Sequence, residues 1–262
     1  MMNFLKNISV LGIGILLMTN LGCSENPTSP GSNSGTLKIS LTDSPASYEA
    51  VNITFSEISA HINEEWIVVR SEPITVNLLD WNNGKSIEIG RADVPAGHYT
   101  QIRLKIDNAE VVVDGQTHPA TVPSGAQTGL KFGPEFSITQ GSTYELMIDF
   151  DAHRSIVTTG PPNSPNGYKL KPTIRVIPVA ITGSISGTIT NLQSLPVAYA
   201  IVGTDTLTST VVDTSNGAFM LAYLPGGTYT VSVNDTAGHS FVTNNVEVVI
   251  GSDQKLGSIT LQ

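Results

Sequence analysis

One cysteine, Cys23, occurs in the 262 residues of the chain. A single thiol excludes an internal disulfide framework and a metal site built from several cysteines. Hydrophobic runs are also short: the longest, from Ile8 to Met18, has eleven residues, whereas a membrane-spanning helix needs roughly 20. The chain must therefore be held together by apolar burial, and its length is enough for one or two domains.

Basic residues are few as well, with 13 Lys and Arg against 22 Asp and Glu and a net charge of −9. This acidic balance argues against a nucleic-acid partner. The five histidines show no HExxH spacing, and no G-x-S-x-G segment is present. We therefore expect a non-catalytic protein. An enzyme with paired carboxylates is a remote alternative, because only the fold brings such a pair together.

The single cysteine lies shortly after the apolar run, in the segment NLGC (Asn20–Cys23). This segment resembles the lipobox of bacterial lipoproteins. The resemblance implies a signal peptide over residues 1–22, lipidation of Cys23 and a membrane anchor that keeps the exported protein in the cell envelope, at the outer membrane or the cell surface. Residues 23–35, rich in Ser, Asn, Pro and Gly, predict a flexible tether. A stray cysteine in an ordinary signal peptide is the alternative.

Short segments rich in Val, Ile and Thr, separated by Gly and Pro, dominate the rest of the chain. They predict an all-β protein of two antiparallel β-sandwiches with Greek-key, immunoglobulin- or transthyretin-like connections. A change of composition divides the chain into domains at 36–180 and 181–262, with about seven strands in the second. Asp114-Gly115 predicts a hairpin, and Ser44 followed by Pro45 allows a short helix over residues 44–50.

The two halves share one local pattern, VPAGHYT (Val94–Thr100) and LPGGTYT (Leu224–Thr230). In each, a Pro-x-Gly turn precedes a strand that opens with an aromatic side chain. We interpret the pattern as one turn used twice rather than as a tandem repeat.

Longer motifs occur in order along residues 36–180, among them GTLKISLTDSPASYEAVNITFSEI, VNLLDWNNG, VPAGHYTQIRLKI and DFDAHRSIV. On these motifs the segment resembles domain-of-unknown-function family 4382, which implies a β-sandwich of secreted proteins and lipoproteins with no established activity. The motifs SGTITN and DTSNGAFMLAYLPGGTYTVSV make residues 181–262 similar to carboxypeptidase regulatory-like, or transthyretin-like, domains. Such domains are grouped with carbohydrate-binding-like folds.

Three aspartates form the candidate metal site. Asp149 and Asp151 alternate along one predicted strand and therefore share a face. Calcium prefers carboxylate and carbonyl oxygens, and Asp43 is a third candidate ligand if its loop lies nearby. The structural alternative is that one aspartate caps a turn and the other pairs with Arg154 or Arg103.

The segment LLDWNNGKS places an aromatic side chain beside amide side chains in a predicted loop. Trp81, Asn82 and Asn83, with Tyr99, are therefore candidates for a surface that binds a glycan or a peptide; aromatic core packing is the alternative. The function we infer from the sequence is a non-catalytic, lipid-anchored surface module for adhesion, assembly or scaffolding. A carbohydrate- or peptide-binding surface lipoprotein, with calcium as a candidate cofactor and a glycan or surface protein as partner, is the second hypothesis.

Overall fold

The structure, a computed structural model, describes residues 33–160, 167–192 and 194–262. The predicted signal peptide, Cys23 and most of the predicted tether therefore lie outside the described residues. Asn33–Gln262 form one compact unit. None of the helices found in the described part of the chain has the length and apolar character needed to cross a membrane.

The described residues of the first part of the chain form fourteen strands. They are β1 (Ser34–Ser44), β2 (Ala50–Ile62), β3 (Glu65–Arg70), β4 (Ile74–Asn77), β5 (Ile87–Pro95), β6 (Gly97–Tyr99), β7 (Gln101–Val113), β8 (Gln116–Thr121), β9 (Leu130–Phe132), β10 (Phe136–Ile138), β11 (Thr143–Asp151), β12 (Ile156–Thr159), β13 (Gly167–Leu170) and β14 (Ile174–Pro178). Two short helices, α1 (Ser124–Thr128) and α2 (Ala152–Ser155), and a 3₁₀ turn at Leu78–Asp80 connect them.

The second part of the chain begins with a 3₁₀ turn at Val179–Ile181. Its strands are β15 (Thr182–Ile189), β16 (Val197–Val202), β17 (Asp205–Val211), β18 (Ala218–Pro225), β19 (Gly227–Asn234), β20 (Ser240–Val248) and β21 (Asp253–Ile259). The seven strands expected from the sequence are thus confirmed.

The strands of the first part form two main sheets. The smaller has the order β14-β11-β1-β5, and the larger has the order β12-β13-β8-β7-β2-β3, with β4 on β2 and β9 on β7. Alternate side chains of β1, such as Leu37, Ile39 and Leu41, point into one apolar core. That core also contains Ile53 and Phe55 of β2. Burying one such side chain contributes roughly 1.5–3 kcal/mol, so this alternation holds the first sandwich together.

The strands of the second part form sheets of order β18-β15-β21 and β17-β16-β19-β20. A separate core lies between them, with Ile185, Phe219 and Leu221 from the first of these sheets and Ala200 and Val231 from the second. The all-β sandwich class predicted from the sequence is therefore confirmed.

Among the strands that the structure describes, three pairs are parallel, whereas the sequence prediction names antiparallel sandwiches. They are β1 with β11, β8 with β13, and β15 with β21. Parallel neighbours need a long connection, which leaves no turn signature in the sequence. The Asp114-Gly115 hairpin is confirmed, because both residues have left-handed backbone with φ of 50° and 69° and join β7 to β8. Residues 44–50 contain no helix: Ser44 ends β1, and a bend over residues 47–49 leads to β2.

Candidate binding cleft between the two sandwiches

A cleft of about 720 Å³ lies where the first sandwich meets the second. Its volume is within the range of small-molecule and peptide pockets. The first sandwich lines it with Pro45, Ala46, Ser47, Tyr48, Glu49, Val113, Asp114, Asp151, His153 and Arg154. The second lines it with Leu195, Val197, Tyr199, Thr206, Ser209, Val211 and Thr236.

One wall of the cleft is the segment between β1 and β2. Pro45 has no backbone N–H to continue the ladder of β1, and the chain bends away from the sheet. The segment is held at its far end, where Glu49 donates its backbone N–H to Val112 O at 3.0 Å. The Glu49 carboxylate accepts from the N–H of Gly115 in the hairpin turn. Burial raises the pKa of Tyr48, and the neighbouring Tyr168 adds to this rise.

A second wall is built by α2. Asp151 precedes this helix and accepts the N–H of Arg154 at 2.9 Å, while its other oxygen lies 3.3 Å from Arg154 Nε. Arg154 also reaches the second sandwich, where Nη2 donates to the carbonyl oxygen of Thr206 at 3.2 Å. Asp151 therefore caps the helix and orients the arginine that connects the two sandwiches at this point.

The predicted calcium ligands take different partners. Asp43 and Asp149 are 3% and 5% exposed. Arg175 donates to Asp149 Oδ2 from Nη2 at 2.6 Å and from Nε at 3.2 Å, and also to the Tyr223 carbonyl oxygen at 3.3 Å. Burial raises the pKa of Asp149, and the Arg175 guanidinium opposes that rise.

Asp43 accepts the N–H of Ala152 at 3.0 Å through Oδ1, while its buried Oδ2 has no hydrogen-bond partner among the described residues. Burial raises the pKa of Asp43 well above its usual range. The hydrogen bond from the Ala152 N–H opposes this rise, whereas the negative charges of Asp149 and Asp151 add to it. Within the described residues no group of three His, Cys, Asp or Glu is arranged to hold a metal ion. The capping and pairing alternative agrees with this geometry, except that the arginine beside Asp149 is Arg175.

The four predicted ligand-binding residues do not form one surface. Tyr99 is fully buried, which corrects its assignment to an exposed platform: its ring stacks on Phe136 at 5.1 Å. Trp81 is half-buried and packs against the first core, and its carbonyl oxygen accepts from Thr42 and Asp43. Asn82 donates to the Leu79 carbonyl oxygen at 2.6 Å.

Asn83 connects the two sandwiches. Its Oδ1 accepts the backbone N–H of Met220, and its Nδ2 lies 3.4 Å from the carbonyl oxygen of Ala218, both in β18. The backbone of Asn83 is left-handed, with φ of 55°, a conformation that asparagine tolerates better than most residues. The WNNG loop, residues 81–84, therefore contacts the second sandwich. The cleft residues Tyr48 and Tyr199, in contrast, were not among the residues predicted from the sequence.

Comparisons with known proteins give one family and several distant structural matches. No curated protein matches the chain. Among solved structures, the Bacillus anthracis TIE protein is 14% identical with a TM-score of 0.24 over 87% of this chain. BcpA, the major pilin subunit of Bacillus cereus, is 12% identical with a TM-score of 0.20, over 87% of this chain and 69% of that chain.

The chain spans about a third of the TIE protein, 34% of its length. TM-scores this low support no conclusion about the fold or the role of this chain. The family model "Domain of unknown function (DUF4382)" matches residues 34–172, which is more than half of the chain. These residues include all strands from β1 to β13. The chain therefore belongs to the DUF4382 family.

Proposed function

We propose that the chain is a non-catalytic, lipid-anchored module of the cell envelope that serves adhesion or assembly by presenting two β-sandwiches as one body. The observation that carries the proposal is the polar junction between them. Asn83, Arg154 and Arg175 each bond backbone atoms of the second sandwich. In the same junction the buried hydroxyls of Ser44 and Thr208 lie 3.1 Å apart.

Such a junction supports a role in presenting both sandwiches together, because it restrains the orientation of the second sandwich relative to the first. Domains joined only by a linker move freely relative to each other by default. Here side chains of the first sandwich form hydrogen bonds with backbone groups at strand edges of the second. Separating the sandwiches would break these bonds, and each buried polar group left without a partner destabilises the fold by roughly 1–3 kcal/mol. A force or a bound partner at one sandwich would therefore act on both.

The anchor in this proposal is Cys23, and the tether is the segment that follows it. The first strand begins at Ser34, one residue before the predicted end of the tether at residue 35. Residues 24–33 would then span at most roughly 35 Å when fully extended. Anchoring by the lipid would keep the two sandwiches close to the membrane surface without a spanning helix.

Expression of the full chain in a Gram-negative bacterium tests the proposal. We expect the native chain, and not the Cys23→Ser variant, to incorporate labelled palmitate, with a single calorimetric unfolding transition for the purified native chain. Incorporation by neither chain, or equally by both, would refute the lipid anchor. Two well-separated transitions in the native chain would refute the coupled pair of sandwiches.

A second candidate function is binding of a glycan or a peptide, and the cleft favours it. Tyr48 and Tyr199 are aromatic lining residues contributed by different sandwiches. In this proposal the ligand surface lies in the cleft and not at the WNNG loop, whose asparagines bond other parts of the chain. A Tyr199→Ala variant that loses binding on a glycan or peptide array, while a Trp81→Phe variant keeps it, would support the cleft.

A further inference from the structure

We propose that the cleft binds an extended, basic peptide segment of a partner protein, which adds as a new strand to the edge of β17. This inference rests on the proposed role as a surface module with a binding cleft, and it names the occupant. Pairing with a sheet edge gives affinity through backbone hydrogen bonds, while side-chain pockets select the sequence.

The edge of β17 is covered by the first sandwich at its start, where Arg154 donates to the Thr206 carbonyl oxygen and Ser44 meets Thr208, and its far end borders the cleft. Within the described residues β17 pairs only with β16, and Thr206, Ser209 and Val211 of β17 line the cleft. Ser209 also borders Thr42 and Asp43 of β1, so an added strand would lie mainly beside Val211. Unpaired edge strands are ready templates for another chain, and proteins usually cover them.

The alternation of hydrogen-bonded and non-hydrogen-bonded pairs between β16 and β17 shows which backbone groups of β17 are free. Val212 donates its N–H to Pro196 O at 3.0 Å, and Val211 pairs with Val197 in the register. Hydrogen-bonded and non-hydrogen-bonded pairs alternate in an antiparallel ladder. The pairs Val211–Val197 and Ser209–Tyr199 are therefore non-hydrogen-bonded. The N–H and C=O groups of Val211 and Ser209 therefore point away from β16, on the side of β17 that borders the first sandwich and the cleft.

The other sheet of the second sandwich already uses its edge in this way. Ile189 donates its N–H to Gly217 O at 2.8 Å, so the same alternation turns the backbone groups of Ala218 and Met220 outward from β18. The Asn83 side chain bonds both of these residues, as one peptide unit of an added strand would. The first sandwich thus covers the β18 edge and the start of β17, and a partner would cover the Ser209–Val211 end of β17.

The charge of the cleft favours a basic occupant. Glu49 and Asp114 are exposed at its rim, and Asp151 adds a third carboxylate. The arginine in the lining, Arg154, already pairs with Asp151. Carboxylates therefore outnumber cations in the lining, and a segment with Lys or Arg would be attracted to the cleft.

Apolar and aromatic side chains mark where the occupant's own side chains would lie. Tyr199 and Val197 neighbour Ser209 and Val211 across the ladder, and paired residues project on the same face of a sheet. Leu195, 60% exposed, extends this apolar strip. A strand that alternates basic residues with Val, Tyr or Ser offers one face to the strip and the other to the carboxylates.

The test measures binding of defined peptides to the full chain, purified in a mild detergent, by fluorescence anisotropy. The probes are labelled peptides of about eight residues in which Lys alternates with Val, Tyr or Ser. Control peptides replace Lys by Glu, or carry N-methyl groups on alternate residues so that one edge lacks N–H donors. We expect binding of at least one Lys peptide, and loss of binding with Glu and with N-methylation.

Two proline variants form a matched pair. Val211→Pro removes the outward N–H of β17 and leaves the ladder to β16 intact, and edge strands tolerate such a proline. Val242 occupies the equivalent outward position on β20, the opposite edge of the same sheet, as the Asp235–His239 bond and the register indicate. We expect Val211→Pro to weaken peptide binding about tenfold or more, and Val242→Pro to leave it unchanged.

Several results would overturn the inference. The inference would be wrong if no Lys peptide binds, if both proline variants weaken binding equally, or if Lys and Glu peptides bind equally well. Binding of glycans alone, or self-association of the chain abolished by Val211→Pro, would assign the cleft to another occupant. Membrane anchoring through Cys23 and single-transition unfolding are measured separately, so a failure here leaves the proposed surface module standing.

Discussion

The phenolic hydroxyl of Tyr99 donates a hydrogen bond to the carbonyl oxygen of Pro95 at 2.7 Å, and Tyr229 bonds Pro225 O at the same distance in the second sandwich. Both tyrosines are buried, and a buried phenol needs a partner. The arrangement is the tyrosine corner found in many β-sandwiches. The shared Pro-x-Gly-x-Tyr pattern is therefore confirmed as one turn used twice, in sandwiches with separate cores.

We expect Tyr99→Phe and Tyr229→Phe each to lower the free energy of unfolding by about 1–2 kcal/mol, because each removes one buried hydrogen bond and leaves a proline carbonyl without its donor. Urea denaturation monitored by circular dichroism measures the change. Tyr199→Phe, which alters a half-buried phenol outside the two corners, is the control. A loss below about 0.3 kcal/mol in both corner variants would contradict the prediction.

The corners were visible in the sequence because each is local: donor and acceptor are four residues apart. The strand pattern is equally local, since alternate buried side chains in β1 appear as alternate apolar letters. Pairings that depend on the tertiary fold were not visible. The parallel register of β1 with β11 joins Leu37 to Tyr144, and nothing in the intervening chain indicates it.

The cleft was invisible for the same reason. Tyr48 and Tyr199 belong to segments about 150 residues apart, and only the docking of the sandwiches brings them to one cavity. The WNNG loop showed the converse problem: a loop rich in amides predicts ligand contacts, but Asn83 bonds the backbone of β18. A single sequence does not distinguish an amide that binds a ligand from one that binds a neighbouring domain.

Asn83 provides a test of the junction. We expect Asn83→Ala to destabilise the chain by about 2–3 kcal/mol, because the Met220 N–H loses its acceptor and alanine is strained at a φ of 55°. Asn83→Gly tolerates this φ and loses only the contacts, so its loss should be smaller. Asn82→Ala is the matched control within the loop. Chemical denaturation of the four chains gives the values, and equal stability of Asn83→Ala and Asn82→Ala would count against the junction.

Arg175 provides a second test, because it neutralises a carboxylate that is 5% exposed. We expect Arg175→Met to lower the free energy of unfolding by about 3 kcal/mol at pH 7, since it leaves the charge of Asp149 buried without a partner. The loss should shrink in acid, where Asp149 is protonated. Arg91→Met, which breaks the exposed pair with Glu88, should cost less than about 1 kcal/mol. Similar losses in both variants would show that burial of Asp149 is unimportant.

Calcium binding by Asp43, Asp149 and Asp151 stays a prediction of the sequence, and melting experiments test it. We expect the melting temperature to be the same with excess calcium and with a chelator. Arg175 already donates two hydrogen bonds to Asp149, and Asp151 caps α2. A rise of several degrees with calcium, absent in Asp149→Asn, would restore the metal site, because ligand binding to the folded state raises its stability.

Asp43 should make the junction sensitive to pH. Burial raises its folded-state pKa above the ordinary value of 3.8, so the folded chain binds this proton more tightly than the unfolded chain. The stability contributed by Asp43 is then fully present below about pH 3.8 and is lost as the pH rises through the folded-state pKa. Asp43→Asn has no proton to lose, and its amide oxygen still accepts from Ala152. We therefore expect the variant to gain stability relative to the native chain as the pH rises above about 4.

Denaturation curves of both chains at several pH values across this range give the difference in unfolding free energy. A tenfold difference in the proton affinity of Asp43 between the folded and the unfolded chain corresponds to about 1.4 kcal/mol of that free energy. Asp114→Asn, in an exposed turn where asparagine also fits the left-handed backbone, supplies the baseline. A difference that stays flat with pH, or that falls as the pH rises, would mean that the Asp43 carboxyl is solvated or paired in the folded protein.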